Sequence, residues 1–390
     1  MIRNLSLLWS KIVYYSNKRE SDLWVFGEWY GNRCNDNCFY FADYIVNHYP
    51  NKKVVWIYAK GCDCSSLNSK ITCIEMDSPE AISTLKRAGF VFVNQGLSDL
   101  TKRHLYYISG AVTVNFWHGV PWKKIGSDLV KNKIQKYYSR CIYKLFGFRY
   151  YVSLSHDFTQ ILHRSFCANK KNIIETGYPR NAVFYNVDKI KTCRKELHQY
   201  ISDNYGYLLD EKKKIILYLP TFRDRKKDVF SFETLLDNGE LNVILEKHNA
   251  IIIQKMHFVT LNQNNNQSHK TNNILNISNY NTQALMASAD ILITDYSSCF
   301  FDYLILNRPI IHFIYDYDYY KNDDRGLYYD KEEVCSGAIA NNVSELIRAI
   351  DGYLMNPLKD AELRRKNCSR FVPFENNYSC ETIFHSINNN

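Results

Sequence analysis

Short apolar runs alternate with amphipathic stretches along most of the chain. LWVFGEW (23–29), VVWIYA (54–59), FVFVNQG (90–96), AVTVNFW (111–117), YYVSLS (150–155) and the start of NIIETGYPRN (172–181) have the β-branched and aromatic richness of buried strands. Between them CFYFADYIVNHY (38–49), SPEAISTLKRAG (78–89) and 156–166 carry helical spacing, the second opening on Ser-Pro-Glu. The alternation breaks over 188–214, which is charged and polar with helical spacing in its middle. It restarts with KIILYLPTFRD (214–224), a helix expected over 231–248, AIIIQKMH (250–257), NILNIS (273–278), a helix near 282–289, DILITDYSS (290–298), the helix CFFDYLILN, the strand RPIIHFIYD (308–316) and a helix over 343–355. The Asn/Gln-rich stretch 262–273 reads as a surface loop. From Leu358 on the chain is again helical and charged, and the pattern leaves open whether it crosses back to the first domain.

Strands alternating with helices make parallel βαβ units. The break therefore divides the chain into two doubly wound α/β domains, 1–195 and 196–390, with the boundary region near 190–212. In such folds ligands bind beyond the carboxyl ends of the strands, at a switch point. With two domains in tandem, the natural site is the cleft between them.

Charge changes this picture by pointing to an anionic partner. The formal net charge is +9, and 121–150 holds eight Lys/Arg against the single acid Asp128. Ile134, Tyr137, Tyr138, Ile142, Tyr143, Leu145 and Phe146 interleave with those cations. The segment reads equally as a basic amphipathic helix for an anionic bilayer or as a surface helix packed on its own domain. No run reaches the 18 or so apolar residues of a membrane span, and MIRNLSLLWSKIVYY, interrupted by Lys11, is not a secretory signal. Twelve scattered cysteines, with Cys34/Cys38 and Cys62/Cys64 the close pairs and no matching second half at zinc-site spacing, fit a reduced cytoplasmic protein.

Candidate chemistry gathers where strands end. WHG (117–119), GYPR (177–180), PTFR (220–223), KMH (255–257) and DYSS (295–298) all follow expected strands. His118 offers a titratable imidazole, Gly119 lets backbone approach a ligand, and lysines follow. Lys255 and His257 alternate on one strand end and so share a face. Arg180 and Arg223 supply forked donors suited to phosphate. Each has a plainer reading: a turn at Gly177-Tyr178-Pro179, a strand stop at Pro220, caps at Thr221, Asp295 and Ser297, surface ion pairs for the arginines. A capped helix start near Ser297 and Ser298 is also an anion site. No phosphate loop, GxGxxG, HExxH or GxSxG is present, and Asp316-Tyr-Asp318 reads as a polar loop. No metal or other cofactor is expected.

The set WVFGEW…DN, NFWHGVPWKKIG, TGYPRN, ILYLPTFRD, KMH, TDYSSCFFDYLILNRPIIHF and RGLYYD, in order from about Leu23 to Asp330, resembles the CDP-glycerol glycerophosphotransferase family of teichoic acid synthesis. The resemblance implies a GT-B-type fold of two Rossmann-like domains. The first would be the acceptor and membrane-facing domain, the second the CDP-donor-binding domain. It implies transfer of glycerol phosphate from a CDP-activated polyol donor to a lipid-linked acceptor at the cytoplasmic membrane surface, with CMP released, and no nucleic-acid partner. His118 would be the base for the acceptor hydroxyl, with Trp117 and Gly119 beside it, and His257 would stabilise the donor pyrophosphate. Arg180, Pro220, Thr221, Arg223, Lys255, Ser297, Ser298 and Asp302 would line the substrate. Such transfers depend on alignment and charge neutralisation, which cations and helix N-termini supply. Phe258 departs from the family's usual proline, Val120 and Trp122 from a commoner Thr and Leu, and no proline-glycine-proline segment follows RGLYYD. These departures bear on acceptor and polyol identity. The alternatives are ribitol-phosphate transfer from CDP-ribitol, a GT-B glycosyltransferase using a nucleotide sugar, and a basic lipid- or nucleic-acid-binding protein on a decayed transferase fold.

Overall fold

The computed structural model describes residues 2–221, 230–255, 273–277, 279–322 and 326–388. His257, Arg223 and most of the Asn/Gln-rich stretch lie outside them. The contacts divide the chain into two compact units. Unit 1 comprises Met1–His118, Gly126–Ala182 and Phe374–Asn390; unit 2 comprises Gly119–Ile125 and Val183–Pro373. The expected boundary at 195/196 falls inside one helix, Val187–Tyr205, which belongs whole to unit 2.

Unit 1 is built on a seven-stranded sheet. Its strands are β1 (Glu20–Phe26), β2 (Lys53–Tyr58), β3 (Thr72–Glu75), β4 (Ala88–Val93), β5 (Val112–Asn115), β6 (Tyr150–Ser153) and β7 (Ile173–Glu175). The order β3-β2-β1-β4-β5-β6-β7 is parallel throughout. β3 has no counterpart in the apolar pattern, because it sits at an edge with three of its four side chains exposed. Helices α1 (Ile2–Tyr15), α2 (Asn37–His48), α3 (Pro79–Arg87), α4 (Lys133–Phe146) and α5 (His156–Phe166) complete the alternation, with Asp36, Ser78, Asn132 and Ser155 capping the last four. The C-terminal helix Ser379–Asn388 returns to this unit: Phe384 stacks on Tyr49 at 3.7 Å and on Trp24 at 5.7 Å.

Unit 2 repeats the plan with six strands: β8 (Lys214–Leu219), β9 (Ala250–Gln254), β10 (Ile274–Asn276), β11 (Ile291–Thr294), β12 (Ile310–Phe313) and β13 (Ala338–Ala340). The order is β10-β9-β8-β11-β12-β13, again parallel. Central strands such as AIIIQ are buried on both faces, which accounts for their unbroken apolar runs. The single helix expected over 231–248 is two pieces, a 3₁₀ turn Phe232–Leu235 and a helix Gly239–Lys247. Asn238 starts the second by accepting the amide of Leu241. An Asn-Gly pair favours a cap over helix interior, and here it overrides the apolar periodicity.

Candidate functional site

Both sheets reverse strand order at one place, between β1 and β4 in unit 1 and between β8 and β11 in unit 2. In unit 2 the polar ends of β8 and β11 flank it, and in unit 1 the turns beyond β5 and β7 reach the loop that leaves β1.

In unit 1 the chain leaves β1 through Glu28, a fully buried carboxylate. Its oxygens accept the amides of Asn35 (2.5 Å), Asp36 (2.8 Å) and Phe39 (3.4 Å), folding the loop back onto the start of α2. Asp36 takes the Trp29 indole N–H at 2.8 Å and a buried ion pair from Arg180 Nη1 at 2.7 Å. Desolvation pushes the Glu28 pKa well above the carboxylate range; the Asp36 charge pushes it further and the three amides oppose. Asp99, beyond β4, accepts the amides of Tyr30, Asn94, Gln95 and Gly96, and burial raises it to about 6.

His118 stands against this frame. Asn115, the last residue of β5, accepts the amide of Trp117 at 2.7 Å and turns the chain. Trp117 adopts φ 59°, and Trp29 and Tyr30 have φ 48° and 57°. Left-handed backbone at three bulky aromatics is costly, and such strain gathers at functional sites. The His118 ring is half-buried, 4.4 Å from the Trp117 ring and 5.8 Å from that of Trp29. Arg180 Nη2 donates to the His118 carbonyl at 3.2 Å, and Asn37 Nδ2 to that of Trp117 at 3.3 Å. Arg180, expected to line substrate, is 6% exposed and holds the histidine's backbone instead of presenting an open fork.

The GYPR turn has a further task. A Cβ on Gly177 would lie 2.7 Å from Glu375 Oε2. Glu375 accepts the amide of Tyr178 (3.2 Å) and the side-chain amide of Asn181 (2.7 Å), so the turn clasps the returning C-terminal segment.

The motif that carries His118 is divided between the units. Its next residues, Gly119–Ile125, belong to unit 2. There Gly119 has φ 139°, Lys123 bridges Leu327 antiparallel, and the amides of Lys124 and Tyr328 bind the carbonyls of Gly326 (3.0 Å) and Trp122 (2.8 Å). Trp122 is fully buried beside Tyr296 and Phe300, its indole bound to the Tyr329 carbonyl at 2.9 Å.

At the unit 2 switch point Pro220 and Thr221 follow β8 and are buried. Asp295, following β11, accepts Thr221 N at 2.9 Å and its hydroxyl at 2.5 Å. Thr294 Oγ1 donates to the Leu219 carbonyl at 2.6 Å. Asp295 therefore joins two strand ends. Ser297 and Ser298 are half-buried, and Ser297 Oγ accepts the amide of Cys299 at 3.4 Å. The helix they precede, Cys299–Tyr303, has only five residues, so its dipole is small. Lys255, 9% exposed, donates its ammonium to the Tyr280 carbonyl. Asp302 is buried and accepts from Gln283 Nε2 at 3.3 Å. Asp316 is 8% exposed, accepts the Tyr296 hydroxyl at 3.1 Å and immediately precedes the short helix Tyr317–Asn322, so the expected polar loop is in part helical.

Residues 11–389 match the family described as CDP-glycerol:poly(glycerophosphate) glycerophosphotransferase. The chain belongs to that family. Its relatives include a teichoic acid glycerol-phosphate transferase of Staphylococcus aureus, 27% identical over 93% of each chain. A teichoic acid poly(glycerol phosphate) polymerase of Staphylococcus epidermidis is 29% identical over 81% of this chain, which spans 43% of that protein's length. The wall teichoic acid polymerase TagF superposes with a TM-score of 0.80 at 24% identity, over 97% of this chain and 92% of that one. A UDP-GlcNAc 2-epimerase from Neisseria meningitidis shares the fold more distantly, with a TM-score of 0.56 at 12% identity over 94% of this chain and 99% of that one. The expected GT-B-type pair of Rossmann-like domains is thus the fold of this glycerophosphotransferase-family enzyme.

Sequence reasoning passed over Glu28, Trp29, Asp36 and Asn37 as site residues. Their signal was present: a Glu at a strand's carboxyl end and an Asp-Asn pair opening the next helix. Nothing local says that the two acids are buried together or that Arg180 reaches Asp36 from 144 residues away.

Proposed function

We propose that this enzyme transfers glycerol phosphate from CDP-glycerol to a hydroxyl of a lipid-linked acceptor in teichoic-acid-type polymer synthesis, releasing CMP. The family match over 11–389, taken with the imidazole presented beyond β5, carries the reading. In it His118 takes the acceptor's proton while the oxygen attacks the phosphorus that bears the glycerol. The P–O bond to the CMP phosphate breaks, and His257, Lys255, Ser297, Ser298 and Arg223 balance the leaving charge. Trp117 and Gly119 shape the acceptor side, and Pro220, Thr221 and Asp302 the donor side. Arg180 serves as a positioning residue through Asp36 and the His118 carbonyl. Unit 1 thus acts on the acceptor and unit 2 on the CDP donor. The reading needs no metal.

The test is CMP release from CDP-glycerol, CDP-ribitol and a nucleotide sugar offered side by side with a lipid-linked acceptor. CDP-ribitol is included because a teichoic acid ribitol-phosphate primase of Bacillus spizizenii is also similar, 28% identical over 62% of this chain. CDP-glycerol should be preferred. His118→Ala should lower turnover at least about 10²- to 10⁴-fold with donor binding retained. Retained turnover sinks the base assignment.

The proposal places the enzyme on the inner face of the cytoplasmic membrane. No helix among the described residues is long and apolar enough to cross a membrane. α1 and α4 instead leave large side chains in solvent: Trp9 60%, Ile12 68%, Ile134 81% and Tyr137 72% exposed. Lys11 of α1 donates to the Leu145 carbonyl of α4, so the two helices are neighbours. Lys131 and Lys133 are exposed, while Lys136 pairs with Asp128 at 2.9 Å. Apolar side chains beside free-standing cations suit an anionic interface. Reversing Lys131 and Lys133 to Glu should weaken sedimentation with anionic vesicles by about 1 kcal/mol or more per charge and spare turnover on a soluble acceptor. Unchanged sedimentation rejects the placement.

A further inference from the structure

Three cysteines that no spacing rule connects meet in unit 1. Cys34 lies in the loop between β1 and α2, while Cys62 and Cys64 lie in the loop that follows β2. Cys34 Sγ is 3.9 Å from Cys62 Sγ and 3.8 Å from Cys64 Sγ, and the three sulfurs all fall within 4.8 Å of one another. Cys34 is buried, and the other two are partly exposed. Cys73, on the neighbouring edge strand β3, interacts with Cys64.

Backbone bonds hold the two loops in this arrangement. The Ala59 amide donates to the Gly31 carbonyl at 2.8 Å, Cys62 N to Ala59 O at 3.0 Å and Leu67 N to Cys64 O at 3.0 Å. Gly31 has φ 78°, and a Cβ there would lie 2.7 Å from Ala59 N, so only glycine permits the approach. Ser66 Oγ donates to the Cys34 carbonyl at 3.5 Å.

We propose that Cys34, Cys62 and Cys64 form a binding site for a thiophilic divalent cation of the zinc class, which ties the loop after β1 to the loop after β2. Zinc–thiolate bonds of about 2.3 Å in a tetrahedron put neighbouring sulfurs about 3.8 Å apart, which matches the two shorter separations. Three soft donors converging on one point select zinc over calcium or magnesium, which take oxygen ligands. A disulfide uses only two of the three sulfurs and leaves the third without a role. Each thiol gives up its proton to solvent on coordination, and the divalent cation offsets two of the three thiolate charges. The loop so tied is the one that carries Trp29 and Asp36, so the cation braces the scaffold behind His118 without touching substrate.

The experiment measures metal in the full chain purified under reducing conditions, by elemental analysis after gel filtration. About one zinc per chain is expected, falling at least about tenfold in Cys34→Ser and in Cys62→Ser/Cys64→Ser, and unchanged in Cys141→Ser. Because a ligand variant can misfold, chelator-treated wild type is also titrated with Co²⁺. Thiolate-to-cobalt charge-transfer bands with tetrahedral d–d absorption, bleached by Zn²⁺, support the site. Substoichiometric zinc with no cobalt–thiolate band overturns it. So does an intact mass showing a disulfide between any two of the three cysteines in the freshly reduced, purified chain.

Discussion

The two switch points solve one problem in different ways. In unit 2 a single carboxylate, Asp295, binds the neighbouring strand end directly through Thr221, and Thr294 adds a second staple. In unit 1 two buried acids, Glu28 and Asp36, gather a loop, and one arginine from far along the chain pairs with Asp36. The first arrangement consists of short bonds between adjacent strands. The second is a network of buried charge and strained aromatic backbone built around one imidazole. It follows that unit 1 should tolerate disturbance of its switch point less than unit 2.

Arg180→Ala puts the contrast under the greatest load. It leaves Asp36 buried without its cation and should cost about 3–5 kcal/mol in denaturant unfolding. Pairing it with Asp36→Asn should recover part of that loss, and strict additivity in the double-mutant cycle would remove the network from the argument.

Burial also shifts groups of opposite kind in the two units. Burial raises Glu28 in unit 1, while in unit 2 it lowers His312 to about 3. His312 is fully buried, accepts the Ser336 amide through Nε2 at 3.0 Å and meets the Phe300 ring edge-to-face at 4.9 Å. A depressed folded pKa contributes stability above the unfolded value of 6.5, and that stability is lost as pH falls from there towards about 3. At about 1.4 kcal/mol per unit the loss reaches a few kcal/mol. Thermal melts of wild type and His312→Gln should converge as pH drops through this window; parallel curves would show that the imidazole is not the cause. Glu28 contributes with the opposite sign, since a raised carboxyl gives up stability as pH rises through its folded pKa.

Smaller changes probe unit 2 itself. Asp295→Ala leaves the buried Thr221 amide and hydroxyl without this acceptor and should cost about 1–3 kcal/mol in chemical unfolding. Thr294→Val removes one neutral hydrogen bond at the same place and should cost about 0.5–1.5 kcal/mol. If either matched the Arg180→Ala loss, the difference between the two switch points would vanish.

The architecture was legible because apolar runs and helical spacing are local and their alternation dictates parallel βαβ units. The polar strand ends WHG, GYPR and DYSS were legible for the same reason, since a strand's carboxyl end is a position in the chain; PTFR and KMH are described only as far as Thr221 and Lys255. What escaped notice was edge or local exception: β3 with its exposed face, β13 with three small or half-buried residues, and the break at Asn238.

Sequence alone determined the parallel α/β class, the family and the presence of His118 at a turn beyond a strand. Tertiary structure alone decided which groups share a site. Arg180 reads as a phosphate fork until folding brings it to Asp36, and Asp295 reads as a cap until Thr221 meets it. The passage of Gly119–Ile125 into unit 2 and the meeting of Cys34 with Cys62 and Cys64 also have no trace in spacing. The reason is physical: periodicity records which face of an element is buried, whereas pairing between charges or thiols depends on strand order, which no local pattern carries.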